Sequence, residues 1–346
     1  MIGYLLDTGF GPYTQPTPSA AVTRARLDTL YDEAVLVDLL GFDAILVPDR
    51  HARSECAVGS PLVFLSSLSR VITHARLGVY SLVLSAYHPM LIAEEAALLD
   101  NLATRRPILG VSMGFDPRYW AQYGIDGQTK VSRFEEGIEI LQRAWTRDSF
   151  SFHGKRFDLD DVRCRPVPAS DDGPELWIGG ESRQSLVRAA KVDGWAAGLA
   201  PINVPSWKRR VEDYRMQAAG NGRRSHVAIL RDAFVAETYE EAASAVGDAF
   251  VEEQRYDFRG HGGKPLHPDF THESDYTIDA LRDHSVIGTP QDCIDSITRL
   301  QTDLDVDSVV LRFRMAAGPP REQVRDSLML FGEQVLPVVQ RSTASR

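Results

Sequence analysis

The sequence predicts an α/β fold, a (β/α)8 barrel, from two observations: it holds eight short apolar runs, and stretches of helical period separate them almost from end to end. The runs at 2–6, 44–47, 77–84, 108–111, 176–178, 194–197, 227–235 and 308–313 are near-continuously apolar, as strands covered on both faces should be. A doubly wound sheet with four strands on each side of a switch point would alternate in the same way. Eight runs and a last helix that closes onto the start favour the barrel.

Each connecting helix has its own signature. Leu27, Leu30, Tyr31, Ala34 and Val37 make one apolar stripe, stopped by Gly41. Val131, Phe134, Ile138, Leu141 and Trp145 make another. Further helices are read at 62–69, 89–102, 206–217, 240–253, 291–300 and 321–335. Two stretches break the alternation. Residues 149–168, SFSFHGKRFDLDDVRCRPVP, alternate aromatic and charged side chains about a His153-Gly154 turn and read as a hairpin inserted before the fifth strand. Residues 255–284 are polar, rich in Gly and His and long for a connector, which reads as a lid or mobile insertion. The whole of 1–346 reads as one barrel domain.

Composition sets aside several classes. A chain of 346 residues, 43% hydrophobic and 25% charged, has ample material for a core. A net charge of -10, with no basic tract interleaved with aromatics, argues against nucleic acid as a partner. Cys56, Cys164 and Cys293 are far apart and form no C-x-x-C pair, so neither a disulfide frame nor a zinc knuckle is expected and a reducing cytoplasm fits. The opening MIGYLLDTGFGPY carries no basic leader, and no apolar run approaches the ~18 residues of a membrane span. A soluble, unexported chain is expected.

The reactive groups of a parallel barrel stand at the carboxyl ends of its strands. After the fifth run, PELWIGGESRQSLVRAAKVDGW passes from strand through Gly179 and Gly180 into a helix, so Glu181, Ser182 and Ser185 sit where free helix N–H groups point outward. That is a phosphate cradle by one reading and an ordinary turn capped by Ser182 by the other. After the second run, Asp49, Arg50 and His51 put an acid, a fixed cation and an imidazole together, a set suited to proton transfer or to stabilising an anion. A structural Asp49–Arg50 pair would leave the same letters. After the third run come Tyr87 and His88, candidate pocket walls, although His88 before Pro89 could equally start a helix. At the fourth, Gly110, Ser112 and Gly114 leave room for a flat ligand, with Met113 and Phe115 as apolar contacts. Arg312 and Arg314 share one face of the last strand, a costly placement best relieved by salt bridges to neighbouring loops. His261, His267 and His272 lie in turn chemistry with no evident carboxylate partners, so no metal site is expected.

In this order the segments resemble the luciferase-like monooxygenase superfamily. The match rests on DRHA, on RLGVYSLVLSAYHPMLIAEEAALLDNLATRRPILGVSMGF and on RFEEGIEILQRAWTRDSFSFHGKRFDL. It continues through ELWIGGESRQSLVRAAKVDGW, VIGTPQDCIDSI and SLMLFGEQVLP, and covers nearly the whole chain. The resemblance implies that Gly180, Glu181, Ser182 and Ser185 hold the phosphate of a flavin, helped by Arg106. It also implies a non-proline cis peptide near residues 79–82, with Tyr80 and Ser81 as candidates, and a catalytic histidine after the second strand, for which the tract offers Arg50 and His51. The function so implied is a monooxygenase that takes reduced FMN from a separate reductase and uses it with O2 on a small organic substrate. A homodimer is implied as well. One alternative is hydride transfer with the deazaflavin coenzyme F(420), whose longer acidic tail Arg312 or Arg314 could meet. Another is a flavin-binding protein without turnover.

Overall fold

The computed structural model describes residues 1–11, 16–146, 148–260, 262–263, 265 and 267–344. His261 of the histidine tract lies outside them. In chain order the elements are β1 (Ile2–Leu5), α1 (Ala20–Leu40), β2 (Ala44–Val47), α2 (Pro61–Leu68), β3 (Arg76–Val83), α3 (Pro89–Leu102), β4 (Ile108–Ser112), α4 (Pro117–Gln122) and α5 (Lys130–Ala144). The hairpin β5 (Phe150–His153) and β6 (Asp158–Val162) follows, then β7 (Glu175–Gly179), α6 (Arg183–Ala189), β8 (Gly194–Ala197), α7 (Val204–Gly220) and β9 (Val227–Val235). The chain ends with α8 (Tyr239–Gly260), β10 (Val286–Gly288), α9 (Pro290–Thr302), β11 (Ser308–Arg312), α10 (Arg321–Gln334) and α11 (Leu336–Ala344).

Among the described residues, eight parallel strands close a barrel in the order β1, β2, β3, β4, β7, β8, β9, β11 and back to β1. These are the eight apolar runs of the sequence. Large and small side chains share the barrel interior. Tyr80, Trp177, Ile108, Leu46 and Leu230 fill it beside Ala44, Ala196 and Ala228. Gly78 is small because a Cβ there would lie 2.5 Å from the Ile108 carbonyl, and Gly194 because one would lie 2.5 Å from the Trp177 ring. A second, larger apolar layer sits between the strands and the helices.

The helices follow their stripes. Ser19 caps α1 by accepting the Val22 N–H, and Gly41 closes it at φ 89. The structure adds β10, a short strand paired only with the far end of β9, together with α4 and α11. Helix α8 does not stop at Glu253 but runs on to Gly260 across a break at Gly247. The inserted stretch therefore begins later than its composition suggested. Beyond it, Phe270 and Tyr276 are buried against Phe258 of α8, and Arg255 donates to the Glu273 and Tyr276 carbonyls. Among the described residues, no helix is long and apolar enough to cross a membrane.

Candidate active site

Because all eight strands run the same way, their carboxyl ends share one pole, and there a cavity of about 170 Å³ opens. One wall is made by strand ends: Asp49 and Arg50 after β2, Tyr80 and Ser81 in β3, and Ser112 of β4. Glu253, Tyr256 and Asp257 of α8 form the other. A larger hollow of about 900 Å³ lies outside the barrel between α8 and α10 and holds none of the expected site residues. The strand-end cavity is the better candidate, since chemistry in this architecture belongs at that pole.

Asp49, Arg50 and His51 separate into two systems. Asp49 accepts the Val83 N–H at 2.9 Å and the Tyr87 hydroxyl at 3.1 and 3.3 Å, and its Oδ1 lies 2.9 Å from His51 Nε2. The His51 ring is walled edge-on by Tyr87, Tyr119 and Tyr123. Burial first, and the Asp49 charge next, push the Tyr87 phenol far above its ordinary value. Arg50 turns away from Asp49 and grips Asp7 with both nitrogens, at 3.0 and 2.7 Å. The structural Asp49–Arg50 pair is therefore not formed. Of Arg50 and His51, it is Arg50 that lines the cavity.

Beneath the cavity lies a layer of buried ions. Arg312 donates to Asp232 at 2.7 Å and to Glu253 at 2.9 Å, and its field also reaches Asp7. Burial alone would raise the Asp7 carboxyl, but Arg50 and then Arg312 overcome this and bring it down to about 2. Burial raises the Glu253 carboxyl, with Arg312 opposing. Arg312 is thus relieved by salt bridges, but to strand β9 and helix α8 and not to the neighbouring loops that were expected. Arg314 finds backbone instead, donating to the Gly9 and Ala316 carbonyls. Both guanidinium groups are buried, Arg312 bonded to two carboxylates and Arg314 to two carbonyls.

The strand-to-helix turn read as a phosphate cradle adjoins the cavity, and it is capped by Ser182 as the other reading expected. Ser182 caps α6, its Oγ accepting the Ser185 N–H at 3.1 Å and meeting Ser185 Oγ at 2.9 Å. Gly180 sits at φ 126, where a Cβ would come 2.7 Å from Ser185 Oγ. A Cβ on Gly179 would lie 3.2 Å from both Ser81 Oγ and Ser112 Cβ. The cradle is therefore continuous with the cavity floor. Glu181 puts a carboxylate beside it, but that charge is taken up by Arg210 at 2.6 Å and by the Gly198 N–H at 2.9 Å. Arg231, buried in β9, holds the same loop by donating to the Gly198 carbonyl at 2.9 Å.

A sequence profile of the luciferase-like monooxygenases matches residues 1–306. The chain belongs to the luciferase-like monooxygenase family. Its curated relatives include an FMNH2-dependent dimethylsulfone monooxygenase of Pseudomonas putida, 24% identical over 75% of this chain and 73% of that one. Another is the oxygenase component of a flavin-dependent trigonelline monooxygenase of Acinetobacter baylyi, 23% identical over 92% of each chain. Among solved structures, the oxygenating constituent of 3,6-diketocamphane monooxygenase from Pseudomonas putida superposes with a TM-score of 0.78 at 19% identity, covering 97% of each chain.

Family membership makes this chain an oxidoreductase, and several residues implied by that membership can now be placed. The non-proline cis peptide joins Tyr80 to Ser81, where the β3–β4 register shifts. Arg106 does not reach the cradle. It precedes β4, so it stands at the amino pole, donating to the Gly173 carbonyl and facing Asp193 at 3.6 Å. Parallel strands place a residue before one strand and a residue after the next at opposite ends. Tyr87 lies behind the cavity wall on Asp49, not in the cavity. His88 is exposed at the start of α3 with its ring against Phe157 of the hairpin. Met113 packs against the main core, and only its carbonyl is engaged, by Ser85. His267 packs on Phe270 and His284. Contributors that went unnoticed in the sequence include Asp7, Tyr119, Tyr123, Glu253, Tyr256 and Asp257. An acid at the end of the first strand was the available signal for Asp7; Glu253 had none.

Proposed function

We propose that this luciferase-like protein is the oxygenase component of a two-component system, binding reduced FMN delivered by a separate reductase and using it with O2 to oxygenate a small organic substrate. The observation that carries the reading is the joint at Gly179, where the phosphate cradle runs without a side chain into the floor made by Ser81 and Ser112. At about 170 Å³ the cavity is smaller than the ~300–1,000 Å³ that encloses a drug-sized ligand, so a flavin would extend from it along this floor to the cradle. Tyr80, Ser81 and Ser112 would contact the ring system, and Gly179, Gly180, Ser182 and Ser185 the phosphate.

Reduced flavin supplies the electron pair for O2, so the chain's own task is to position, to exclude water and to move protons. Asp49 at the wall and His51 behind it would handle protons, and Arg50, fixed by Asp7, would present a cation where negative charge develops. The segment 267–276, held to α8 by Arg255, would cover the mouth beside Tyr256 and Asp257. Dimerisation has a candidate surface on α2 and α3, where Val63, Leu91 and Leu98 are exposed.

Titration with FMN, reduced FMN and the deazaflavin coenzyme, read by fluorescence or calorimetry, tests the cofactor. Ser182→Asp sharpens the test. Aspartate is as good a helix cap as serine, so α6 should survive, but its charge would oppose the phosphate. FMN affinity should fall about tenfold or more, roughly 1.4 kcal/mol. Unchanged affinity would remove the cradle from the reading.

A further inference from the structure

Hydrogen bonds between side chains join the cavity wall to the protein surface. Asp49 lines the cavity, while His51, Tyr87 and Tyr123 stand behind it. His51 Nε2 lies 2.9 Å from Asp49 Oδ1 and 2.5 Å from the Tyr87 hydroxyl. On the other side of the ring the Tyr123 hydroxyl meets Nδ1 at 3.1 Å. Tyr123, at the end of α4, is 43% exposed, whereas His51 is 3% exposed.

The inventory of donors fixes the direction of these bonds. Asp49 accepts the Val83 N–H and the Tyr87 O–H. The Tyr87 oxygen, its own hydrogen given to Asp49, takes the hydrogen of His51 Nε2, leaving Nδ1 to accept from Tyr123. Tyr123, His51 and Tyr87 each have a hydrogen to pass on and a lone pair to receive the next, and Asp49 ends the row. The tyrosine rings around His51 leave, among the described residues, only Asp49 and two phenol hydroxyls as its side-chain partners.

We propose that Tyr123, His51, Tyr87 and Asp49 form a proton relay that supplies the cavity from solvent without admitting water through its mouth. The proposal rests on the reading of Asp49 and His51 as the proton-handling pair. A site that keeps bulk water from its reactive centre needs such a second entry for protons. In one passage, water gives a proton to Tyr123 Oη as the phenol O–H bond breaks toward Nδ1. The Nε2–H bond breaks toward Tyr87 Oη as the Tyr87 O–H bond breaks toward Asp49 Oδ1, and the acid so formed gives its proton to a base in the cavity. Solvent loses one proton and the cavity base gains one. His51 is left as the Nδ1–H tautomer, so one passage delivers one proton.

Tyr123→Phe removes one hydroxyl from a half-exposed side chain and tests the relay. In the cofactor-free protein carrying 15N-labelled histidine, the Nδ1 resonance of His51 should shift as its donor disappears, and exchange of the Nε2 proton with solvent should slow about tenfold. In turnover with reduced FMN the solvent deuterium isotope effect should rise, and added imidazole should restore part of the lost rate. Unchanged ring-proton exchange and isotope effect would overturn the relay. His51→Gln separates the two failures. If it impairs turnover while Tyr123→Phe changes nothing, the relay is wrong and the proton-handling pair stands; if His51→Gln is silent in turnover, the pair itself falls.

Discussion

Asp49→Asn is expected to lower turnover by about 10²–10³ while leaving FMN affinity within about twofold. The substitution keeps the shape of the side chain. It removes the charge that orients His51, and it replaces one acceptor oxygen with a donor that faces the Tyr87 O–H or the His51 N–H. The Val83 N–H can still find the remaining oxygen, so the strand end should hold its position. Because Asp49 lies against the cavity wall and not in the phosphate cradle, binding and chemistry should separate cleanly. Single-turnover kinetics with pre-reduced FMN measure both. Rates near wild type would show that the Asp49–His51 pair is architectural, and would shift attention to Arg50.

The largest stability effect is expected at Asp7. Asp7→Ala should cost about 3–5 kcal/mol, because Arg50 would lose both of its hydrogen bonds and Arg312 a nearby counter-charge, all in a buried layer. The same residue predicts the acid limb of the wild-type stability curve. Its folded value of about 2 lies below its ordinary 3.8, so its contribution is complete above about pH 4 and is lost as pH falls toward 2. The magnitude is roughly 2 kcal/mol. Urea denaturation at neutral pH and near pH 3 should show a smaller acid loss in Asp7→Ala than in wild type. Equal losses in both proteins would mean that other carboxylates set the acid limb.

The barrel was legible because each of its strands is apolar on both faces, so short runs such as Ala44–Val47 and Ser308–Arg312 stand out between amphipathic helices. Strand β10 was not, since three residues paired to the tail of β9 carry almost no pattern. The second half of α8 was hidden for a physical reason. Tyr256 and Asp257 face a polar cavity, so the helix loses the apolar stripe that would announce it. Within the site, Asp49 could be seen because strand ends are where reactive groups gather. Its partners could not. Tyr123 meets His51 across 72 residues of chain and Asp7 meets Arg50 across 43, and no local spacing encodes such contacts. Arg106 is the reverse case, a residue carried over by likeness that strand direction alone sends to the wrong pole.

The cavity has walls of two kinds. Ser81, Ser112 and Gly179 belong to strands of the barrel, Ser112 paired with Val83 and Gly179 with Ala196. Glu253, Tyr256 and Asp257 belong to one helix outside that ring, broken at Gly247 from the turns that precede it. Inheritance can therefore act on the two separately. On the reading proposed above, drift along the outer helix would alter which molecules are accepted while the floor of strand ends stays as it is, and a lineage would acquire new substrates without first rebuilding its catalyst.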